Sequence, residues 1–284
     1  LRAAEMEIIH DAREMAAVGF TEILPKLPFF IRVFNEMVRL AEDRRPDAVI
    51  LVDYPGFNLR FAERIHAMGI KVIYYICPQV WAWRRSRIPM MARIIDRLIA
   101  IFPFEPEVFA GTGLKADFAG HPLIDEAARA IAAPPPSLPW RGAPRIAVLP
   151  GSRRQVIARM LPVFAAAGRL LLERHPKAGF IIPAPTAAIA EIAGHVLEGL
   201  PHDRNRWEIV TGETRQVLRT AAAAMVASGT ATLETALMGC PMVIAYRMAP
   251  LGFFFIRRAV SVKFAGMVNI VAGRALCPEF IQDA

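Results

Sequence analysis

One short segment in the second half of the chain has the residue types of a phosphate-binding turn. Gly151, Ser152 and Arg153 follow an apolar strand and precede a predicted helix. A glycine lets the backbone approach a ligand closely, and the free N–H groups at a helix start favour an anion. The arginine adds a fixed positive charge that suits a diphosphate. A plain turn between a strand and a helix is the alternative interpretation.

A second segment has the same design and ends in an acid. Ser228, Gly229 and Thr230 follow an apolar run, and Glu234 lies one turn into the helix predicted after them. The turn could bind a second phosphate, and the carboxylate could accept both hydroxyls of a ribose. Two anion sites in one domain fit a nucleotide diphosphate better than a single phosphate. Alternatively, Ser228 or Thr230 caps the helix and Glu234 pairs with its dipole.

The first half of the chain contributes an acid and an aromatic, basic motif. Asp53 ends an apolar strand, where it could take a proton from an attacking hydroxyl, although it could also be a helix cap or a loop residue. Asn58 is the better candidate for capping the helix that follows. Trp81, Trp83 and Arg84 suit an acceptor or sugar site, because Trp faces stack on sugar rings and Arg binds phosphate. A buried aromatic hinge with solvated arginines is the alternative.

A segment between residues 20 and 40 mixes apolar and basic residues. Five apolar residues at helical spacing are candidates for membrane contact: Ile23, Leu24, Leu27, Phe30 and Ile31. Such a segment can lie in a membrane interface with its cations on anionic headgroups. An ordinary helix facing the core is the alternative. Residues 251–258 are a second candidate for membrane contact.

Apolar strands and helical segments alternate along the chain and would position these residues. The predicted strands lie at 47–53, 71–76, 97–101, 145–149, 179–182, 207–210, 222–227 and 242–246. Continuous apolar strands of this length are typical of parallel sheets that are buried on both faces. The repeated order of strand, helix and strand therefore predicts an α/β fold with doubly wound sheets.

A proline cluster at residues 133–139 interrupts this alternation, because proline continues neither a helix nor a central strand. We therefore predict two Rossmann-like domains, residues 1–133 and 134–284, facing a cleft. Residue 1 falls inside a helical pattern and the last residues lack a helix cap. These two features predict a fragment truncated at both ends.

Composition excludes several classes of protein. The 284 residues are 55% hydrophobic and carry a formal net charge of +8, so they can bury a core and attract polyanions. The sequence has no nucleic-acid-binding signature, and we expect no nucleic-acid partner. Three widely spaced cysteines indicate a reducing compartment rather than a disulfide framework or metal cluster. No apolar run approaches the roughly 20 residues of a membrane span, so we expect a cytoplasmic protein that is at most peripheral to a membrane.

Five segments of this chain occur in the order and approximate spacing of the lipid-A-disaccharide synthases. They are residues 52–58, 78–84, 149–153, 228–234 and 241–248, and residues 268–274 resemble a further motif of that family. The Trp-Ala-Trp-Arg sequence at 81–84 is the most specific of them. Val156 departs from the family pattern, which usually has glutamate there.

The resemblance implies an inverting glycosyltransferase of the GT-B type. It implies transfer of 2,3-diacylglucosamine from UDP to 2,3-diacylglucosamine 1-phosphate, giving the β-1,6-linked lipid A disaccharide 1-phosphate and UDP. By the family pattern Asp53 is the base, Arg153 steadies the diphosphate, Glu234 binds the ribose and Asn269 lines the donor site. No metal or other cofactor is expected.

The resemblance also implies a division of roles between the two predicted domains. Residues 1–133 would bind the monosaccharide lipid acceptor and meet the inner-membrane surface, and residues 134–284 would bind the UDP-diacylglucosamine. Two other classes fit part of the pattern. One is another UDP-sugar enzyme of the same fold, either a transferase or an epimerase, and the other is a membrane-bound nucleotide-binding protein without catalysis.

Overall fold

The computed structural model describes residues 6–11, 20–134 and 136–282, with the side chains of 20–26, 250, 251, 255, 256 and 259 outside the description. The chain divides into two compact units, Leu1–Ala119 and Gly120–Ala284. Each unit has its own parallel sheet and its own hydrophobic core. The predicted α/β fold with two sheets is therefore confirmed.

Within the described residues, the first unit contains a parallel sheet in the order β1-β2-β3-β4. Its strands are β1 (Ala48–Val52), β2 (Lys71–Tyr75), β3 (Arg97–Ala100) and β4 (Lys115–Phe118). Its helices are α1 (Phe20–Arg44), α2 (Pro55–Ala67), α3 (Val80–Trp83), α4 (Ile88–Ile94) and α5 (Glu105–Val108). A 3-10 turn, Arg85–Arg87, joins α3 to α4.

The strands of this sheet differ in burial. Val72 and Tyr74 of β2 are fully buried, as the apolar run predicts. The expectation that every apolar strand is buried on both faces is wrong for β1, where Ile50 and Val52 are 64% and 51% exposed. The physical reason is that, within the described residues, only the face of β1 that carries Val49 and Leu51 packs into the core.

The second unit contains a parallel sheet in the order β10-β9-β8-β5-β6-β7. Its strands are β5 (Arg145–Leu149), β6 (Gly179–Ala184), β7 (Trp207–Thr211), β8 (Ala223–Ala227), β9 (Met242–Tyr246) and β10 (Glu279–Ile281). Its helices are α6 (Leu123–Ala132), α7 (Arg154–Arg174), α8 (Ala187–Glu198), α9 (Thr214–Thr220), α10 (Thr230–Leu237), α11 (Pro250–Ala259) and α12 (Met267–Ala272).

The strand order of the second unit is that of a Rossmann fold. From β5 the chain builds outward through β6 and β7, then returns to pair β8 against the other side of β5. The sheet therefore has a topological switch point between β5 and β8, and in such sheets ligands bind outside the carboxyl ends of the strands at this point. The register pairs Leu149 with Val226, so the loops after the two strands start side by side.

Helix α6 belongs to the second unit, whereas the sequence-based division at 133/134 assigns it to the first domain. Its Ala127 is buried in the same core cluster as Ala147 and Val226 of β5 and β8. Two arginine side chains of α9 reinforce the contact, since Arg215 binds Glu126 and Arg219 donates to the Ala130 carbonyl. The proline cluster therefore follows the start of the second unit.

Among the described helices, α7 has the length and composition to cross a membrane. Its Ile157, Leu161 and Phe164 are nevertheless buried in a core cluster with Phe180 of β6 and Trp207 of β7. Phe180 and Trp207 stack on each other with ring centroids 4.5 Å apart. A helix buried in this way is the covering layer of an α/β sheet.

Replacing Leu161 by Ala should test this role of α7. Leu161 is fully buried, so its truncation leaves a cavity and should lower the free energy of unfolding by about 2–5 kcal/mol. The matched control is Leu170→Ala on the same helix, where the side chain is 63% exposed and the expected change is below about 0.5 kcal/mol. Urea denaturation measures both; equal losses would contradict the packing of α7 described here.

Candidate functional site

A cavity of about 290 Å³ lies at the switch point of the second unit, and we call it the switch-point cavity. Both predicted phosphate-binding turns border it because the paired strands β5 and β8 end at the same level. The predicted residues that line it are Gly151, Ser152, Arg153, Ser228, Gly229, Thr230 and Glu234. The structure thus brings together two segments that are far apart in the sequence.

The turn after β5 requires glycine. Gly151 has a φ of +106°, and a Cβ atom built there would lie 2.8 Å from Cγ1 of Val156. Arg153 is the N-cap of α7, and its carbonyl accepts the N–H groups of Val156 and Ile157. Val156 lines the cavity and lies against Gly151, so this apolar residue supports the turn.

The turn after β8 is not capped as the sequence suggests. The N-cap of α10 is Gly229 without a side-chain hydrogen bond, so neither Ser228 nor Thr230 caps the helix. Ser228 Oγ instead donates to the Ala265 carbonyl at 2.6 Å. The turn after β8 is therefore tied to the segment that precedes α12.

Glu234 has an arginine partner that sequence reasoning missed. Arg215 Nε lies 2.9 Å from Glu234 Oε1, and the same guanidinium binds Glu126 of α6. Burial raises the pKa of the Glu234 carboxyl, while the Arg215 charge opposes that shift. No local sequence signal could identify Arg215, because its two partners come from helices that precede and follow α9.

Asn269 was predicted to line the donor site, and this is wrong for its side chain, which is fully buried. Its amide nitrogen donates to the Cys277 carbonyl at 2.9 Å and to Glu279 Oε1 at 2.7 Å. Its oxygen accepts the N–H groups of Leu276 and Cys277 at 2.8 and 3.0 Å. These bonds use both amide donors and both lone pairs of the oxygen, so Asn269 holds the loop before β10.

Glu279 completes this arrangement and was also missed. Its carboxylate accepts the backbone N–H groups of Ala265 at 2.8 Å and Gly266 at 2.9 Å, in addition to the Asn269 amide. The Ala265 carbonyl in turn accepts the Ser228 hydroxyl. A continuous chain of hydrogen bonds therefore links β10 to the turn that lines the switch-point cavity.

In the first unit, Asp53 directly follows β1 in a strained backbone conformation. Asp53 and Tyr54 both have φ of +46°, which is uncommon for residues other than glycine and costs about 1–3 kcal/mol each. The Asp53 carbonyl accepts the Tyr74 hydroxyl at 2.6 Å and the Asn58 amide at 2.8 Å. The predicted capping role of Asn58 is wrong, because α2 begins at Pro55 and Asn58 reaches back to fix this turn. Its neighbours thus fix the Asp53 backbone, and the residue is solvent-exposed.

The two tryptophans of the aromatic, basic motif have different environments. Trp81 is 4% exposed and donates from Nε1 to Glu105 Oε1 at 3.0 Å, so the prediction that its face stacks on a sugar is wrong. Trp83 is 47% exposed, and the Arg84 guanidinium lies 4.3 Å from its ring centroid. Of the three predicted residues of this motif, Trp83 and Arg84 are therefore the ones accessible to a ligand.

Glu105 is a buried carboxylate that sequence reasoning missed. Besides Trp81, it accepts the backbone N–H groups of Ile101 and Phe102 at 3.1 and 3.0 Å. Burial raises its pKa, whereas these hydrogen bonds lower it. Glu105 therefore anchors the Trp81 ring and the end of β3 from inside the core.

The predicted membrane residues fall into three groups. Leu27 and Ile31 are 45% and 52% exposed, in keeping with a surface role. Phe30 is 9% exposed and packs against Phe29 and Tyr54, so the assignment of Phe30 to membrane contact is wrong. The side chains of Ile23 and Leu24 lie outside the described residues. In the second candidate segment, Phe254 is 53% exposed.

A second cavity, of about 410 Å³, lies between α1 and the start of α2, and we call it the α1–α2 cavity. Leu27, Phe30 and Ile31 line it on α1, and Tyr54 and Gly56 line it beside Asp53. Arg60 is the charged residue among its lining residues. The first unit thus offers an apolar space next to its exposed acid.

Solved structures with this architecture define the class. A UDP-GlcNAc 2-epimerase from Neisseria meningitidis bound to UDP-GlcNAc is similar with a TM-score of 0.58 and 12% identity, covering 95% of this chain and 76% of that one. The MnaA–UDP complex from S. aureus has the same TM-score and identity, covering 86% of this chain and 69% of that one. The fold is therefore that of the GT-B glycosyltransferases and related epimerases.

Sequence comparison identifies the family within this class. The model of the lipid-A-disaccharide synthetase family matches residues 1–284. The lipid-A-disaccharide synthase of Anaeromyxobacter dehalogenans is 38% identical over 292 residues, covering 99% of this chain and 74% of the relative. That of Geobacter metallireducens is 39% identical over 290 residues, covering 100% and 74%. The chain belongs to the lipid-A-disaccharide synthetase family and is a glycosyltransferase of lipid A biosynthesis, as its motifs predict.

Proposed function

We propose that this enzyme joins UDP-2,3-diacylglucosamine to 2,3-diacylglucosamine 1-phosphate, forming the β-1,6-linked disaccharide 1-phosphate and releasing UDP. The observation that carries this proposal is the switch-point cavity of the second unit, bordered by both predicted turns in a chain of this family. On this proposal the second unit binds the donor and the first unit binds the acceptor.

The donor assignment rests on the chemistry of the switch-point cavity. Backbone N–H groups at the starts of α7 and α10 favour the diphosphate, and Gly151 allows close approach. Arg153 stabilises the charge that develops on UDP as it leaves. Glu234 accepts the ribose hydroxyls, and the Arg215 ion pair holds its carboxylate in place.

The proposed chemistry is a single inverting displacement. The 6-hydroxyl of the acceptor attacks the anomeric carbon, its proton passes to the Asp53 carboxylate, and the bond to the UDP oxygen breaks. The strained turn supports this role for Asp53, because Asn58 and Tyr74 fix the backbone and leave the residue solvent-exposed. Strain of this kind is typical of functional positions.

The acceptor is a lipid, so the enzyme must reach a membrane surface. We propose peripheral binding to the cytoplasmic face of the inner membrane through α1, with Leu27 and Ile31 entering the interface. The formal net charge of +8 favours anionic headgroups. Trp83 and Arg84 are the accessible residues of the acceptor motif.

Replacing Asp53 by Asn tests the proposed base. Asn tolerates the left-handed backbone as well as Asp does, so the fold should persist while kcat falls by about 10²–10⁴. Product formation from both diacylated substrates is followed by mass spectrometry, and UDP affinity, measured by calorimetry, should not change. The control is Asp47→Asn, at an exposed residue just before β1. A D53N enzyme with wild-type kcat would exclude Asp53 as the base.

Glu279→Gln tests whether the hydrogen-bond chain from β10 positions the donor site. Glutamine offers one oxygen to donors that now share two, and its NH₂ group would face a backbone N–H group. The dissociation constant for UDP should rise about tenfold, equivalent to about 1.4 kcal/mol. Glu191→Gln, at an exposed position on α8, is the control. A drop in melting temperature with unchanged UDP affinity would reduce Glu279 to a purely structural residue.

The double variant Leu27→Ser/Ile31→Ser tests membrane binding. Loss of two exposed apolar side chains should weaken partitioning onto phosphatidylglycerol vesicles by about tenfold or more. Phe30 is left unchanged because its removal would disturb the core. The matched control, Ile131→Ser/Leu170→Ser, removes side chains that are 50% and 63% exposed in the second unit. Sedimentation with vesicles is the measurement, and equal binding of the two double variants would contradict the role of α1.

A further inference from the structure

The α1–α2 cavity has the properties of a site for a hydrocarbon chain. Its volume of about 410 Å³ falls in the range of small-molecule sites, and its lining is apolar apart from the Arg60 guanidinium and the Tyr54 hydroxyl. An apolar lining offers water few hydrogen-bond partners, so an apolar ligand displaces that water favourably. Tyr54 and Gly56, which line the cavity, follow Asp53 directly in the chain, so a bound chain lies close to the proposed base.

Arg60 lines this cavity, and Arg84 and Arg87 lie in the turn that precedes α4; we call these three residues the arginine cluster. Arg84 and Arg87 lie one turn apart, since the Arg87 N–H donates to the Arg84 carbonyl at 3.0 Å. Their turn leads into α4, which packs against α2, the helix that carries Arg60. Ile88 at the start of α4 and Phe57 on α2 join the same core cluster.

The three positive charges act on one another without a carboxylate partner. Burial and then the charges of Arg84 and Arg60 lower the pKa of Arg87. Other arginines of this unit are paired, Arg44 with Glu7 and Arg97 with Asp117. Within the described residues no ion pair compensates the arginine cluster. Such a group of like charges is stabilised by a bound anion.

Tyr74 connects the proposed base with the arginine cluster. Its hydroxyl donates to the Asp53 carbonyl, and burial and then the Asp53 charge raise its pKa, whereas the Arg87 charge opposes that rise. An apolar cavity, an unpaired cationic group and an exposed acid therefore occur together in one part of the first unit. A ligand that fits the cavity, the cationic group and the acid carries a hydrocarbon chain, an anionic group and a hydroxyl group in one small molecule.

We propose that the α1–α2 cavity takes an acyl chain of the acceptor and that the arginine cluster binds its phosphate. This inference rests on the proposed function and deepens it by assigning the acceptor subsites. An acylated sugar phosphate holds its chain and its phosphate on a single ring, which matches a cavity whose one charged lining residue belongs to the cluster. A phosphate monoester carries nearly two negative charges near neutral pH, more than the single charge of a phosphodiester headgroup.

The phosphate assignment is tested with two acceptors, diacylglucosamine 1-phosphate and the same diacylglucosamine without phosphate. Arg60→Gln and Arg87→Gln should each lower kcat/KM about tenfold for the phosphorylated acceptor, mainly through KM. With the unphosphorylated acceptor the variants should lose much less of kcat/KM than with the phosphorylated one. Arg93→Gln, an exposed arginine at the end of α4, is the matched control and should change neither value.

The outcomes separate this inference from its rivals. Equal losses on both acceptors would overturn it, because the arginines would then act on the fold or on the base. Weakened binding to phosphatidylglycerol vesicles with unchanged preference for the phosphorylated acceptor would also overturn it, in favour of membrane headgroups. Failure of the proposed function itself is visible separately, because the wild type would then form no disaccharide from either acceptor.

The acyl assignment has its own variant, Gly56→Leu. Gly56 lines the cavity, and a Cβ atom there has no neighbour within 4 Å, so a larger side chain can be accommodated at this position of the lining. The wild-type KM should fall as the acyl chains of the acceptor lengthen, and Gly56→Leu should remove most of that dependence. Rates with the shortest-chain acceptor report whether the variant is otherwise intact. Persistence of the full chain-length dependence in Gly56→Leu would show that the chain binds elsewhere.

Discussion

The pairing of β5 with β8 is the constraint on which the switch-point cavity depends. Leu149 and Val226 are register partners, so the two turns that follow start at the same level although 77 positions separate them in the sequence (226 minus 149). A shift of one residue would exchange side chains between two separately packed cores, one containing Ile146 and Val148 and the other Ala147 and Leu149. The hydrophobic core therefore fixes the register, and the register brings Gly151 and Ser228 together.

The sequence predicted this part of the site because its signals are local. Small residues after an apolar run indicate a strand end, and in a parallel sheet all strand ends of one kind lie at the same edge. Five of the six strands of the second unit and the lining role of Glu234 could thus be inferred without long-range information, whereas the three-residue strand β10 was missed. The packing of α6 on the second unit could not, because the proline cluster is a stronger local signal than one buried alanine.

The errors at the site have a common physical origin. Trp81, Asn269 and Phe30 were assigned to ligands or membrane by residue type, yet all three are buried, and burial depends on packing between distant elements. Arg215 and Glu279, which the sequence did not predict, were missed because contacts between distant elements cannot be read from the sequence. Each has bonding partners on more than one element, so no spacing along the sequence identifies it.

Hydrogen-bond satisfaction separates the scaffold of this enzyme from its ligand-facing groups. Asn269 is saturated by protein partners and Glu105 accepts three donors, so a ligand could engage either only by breaking a buried bond. Asp53 and Arg153 are exposed, and neither takes part in an ion pair within the described residues. Hydrogen bonds from the side chains of Asn58 and Tyr74 to the Asp53 carbonyl stabilise its strained turn. The fold therefore does not depend on the Asp53 carboxylate. This carboxylate and the Arg153 guanidinium are both available to bind substrate.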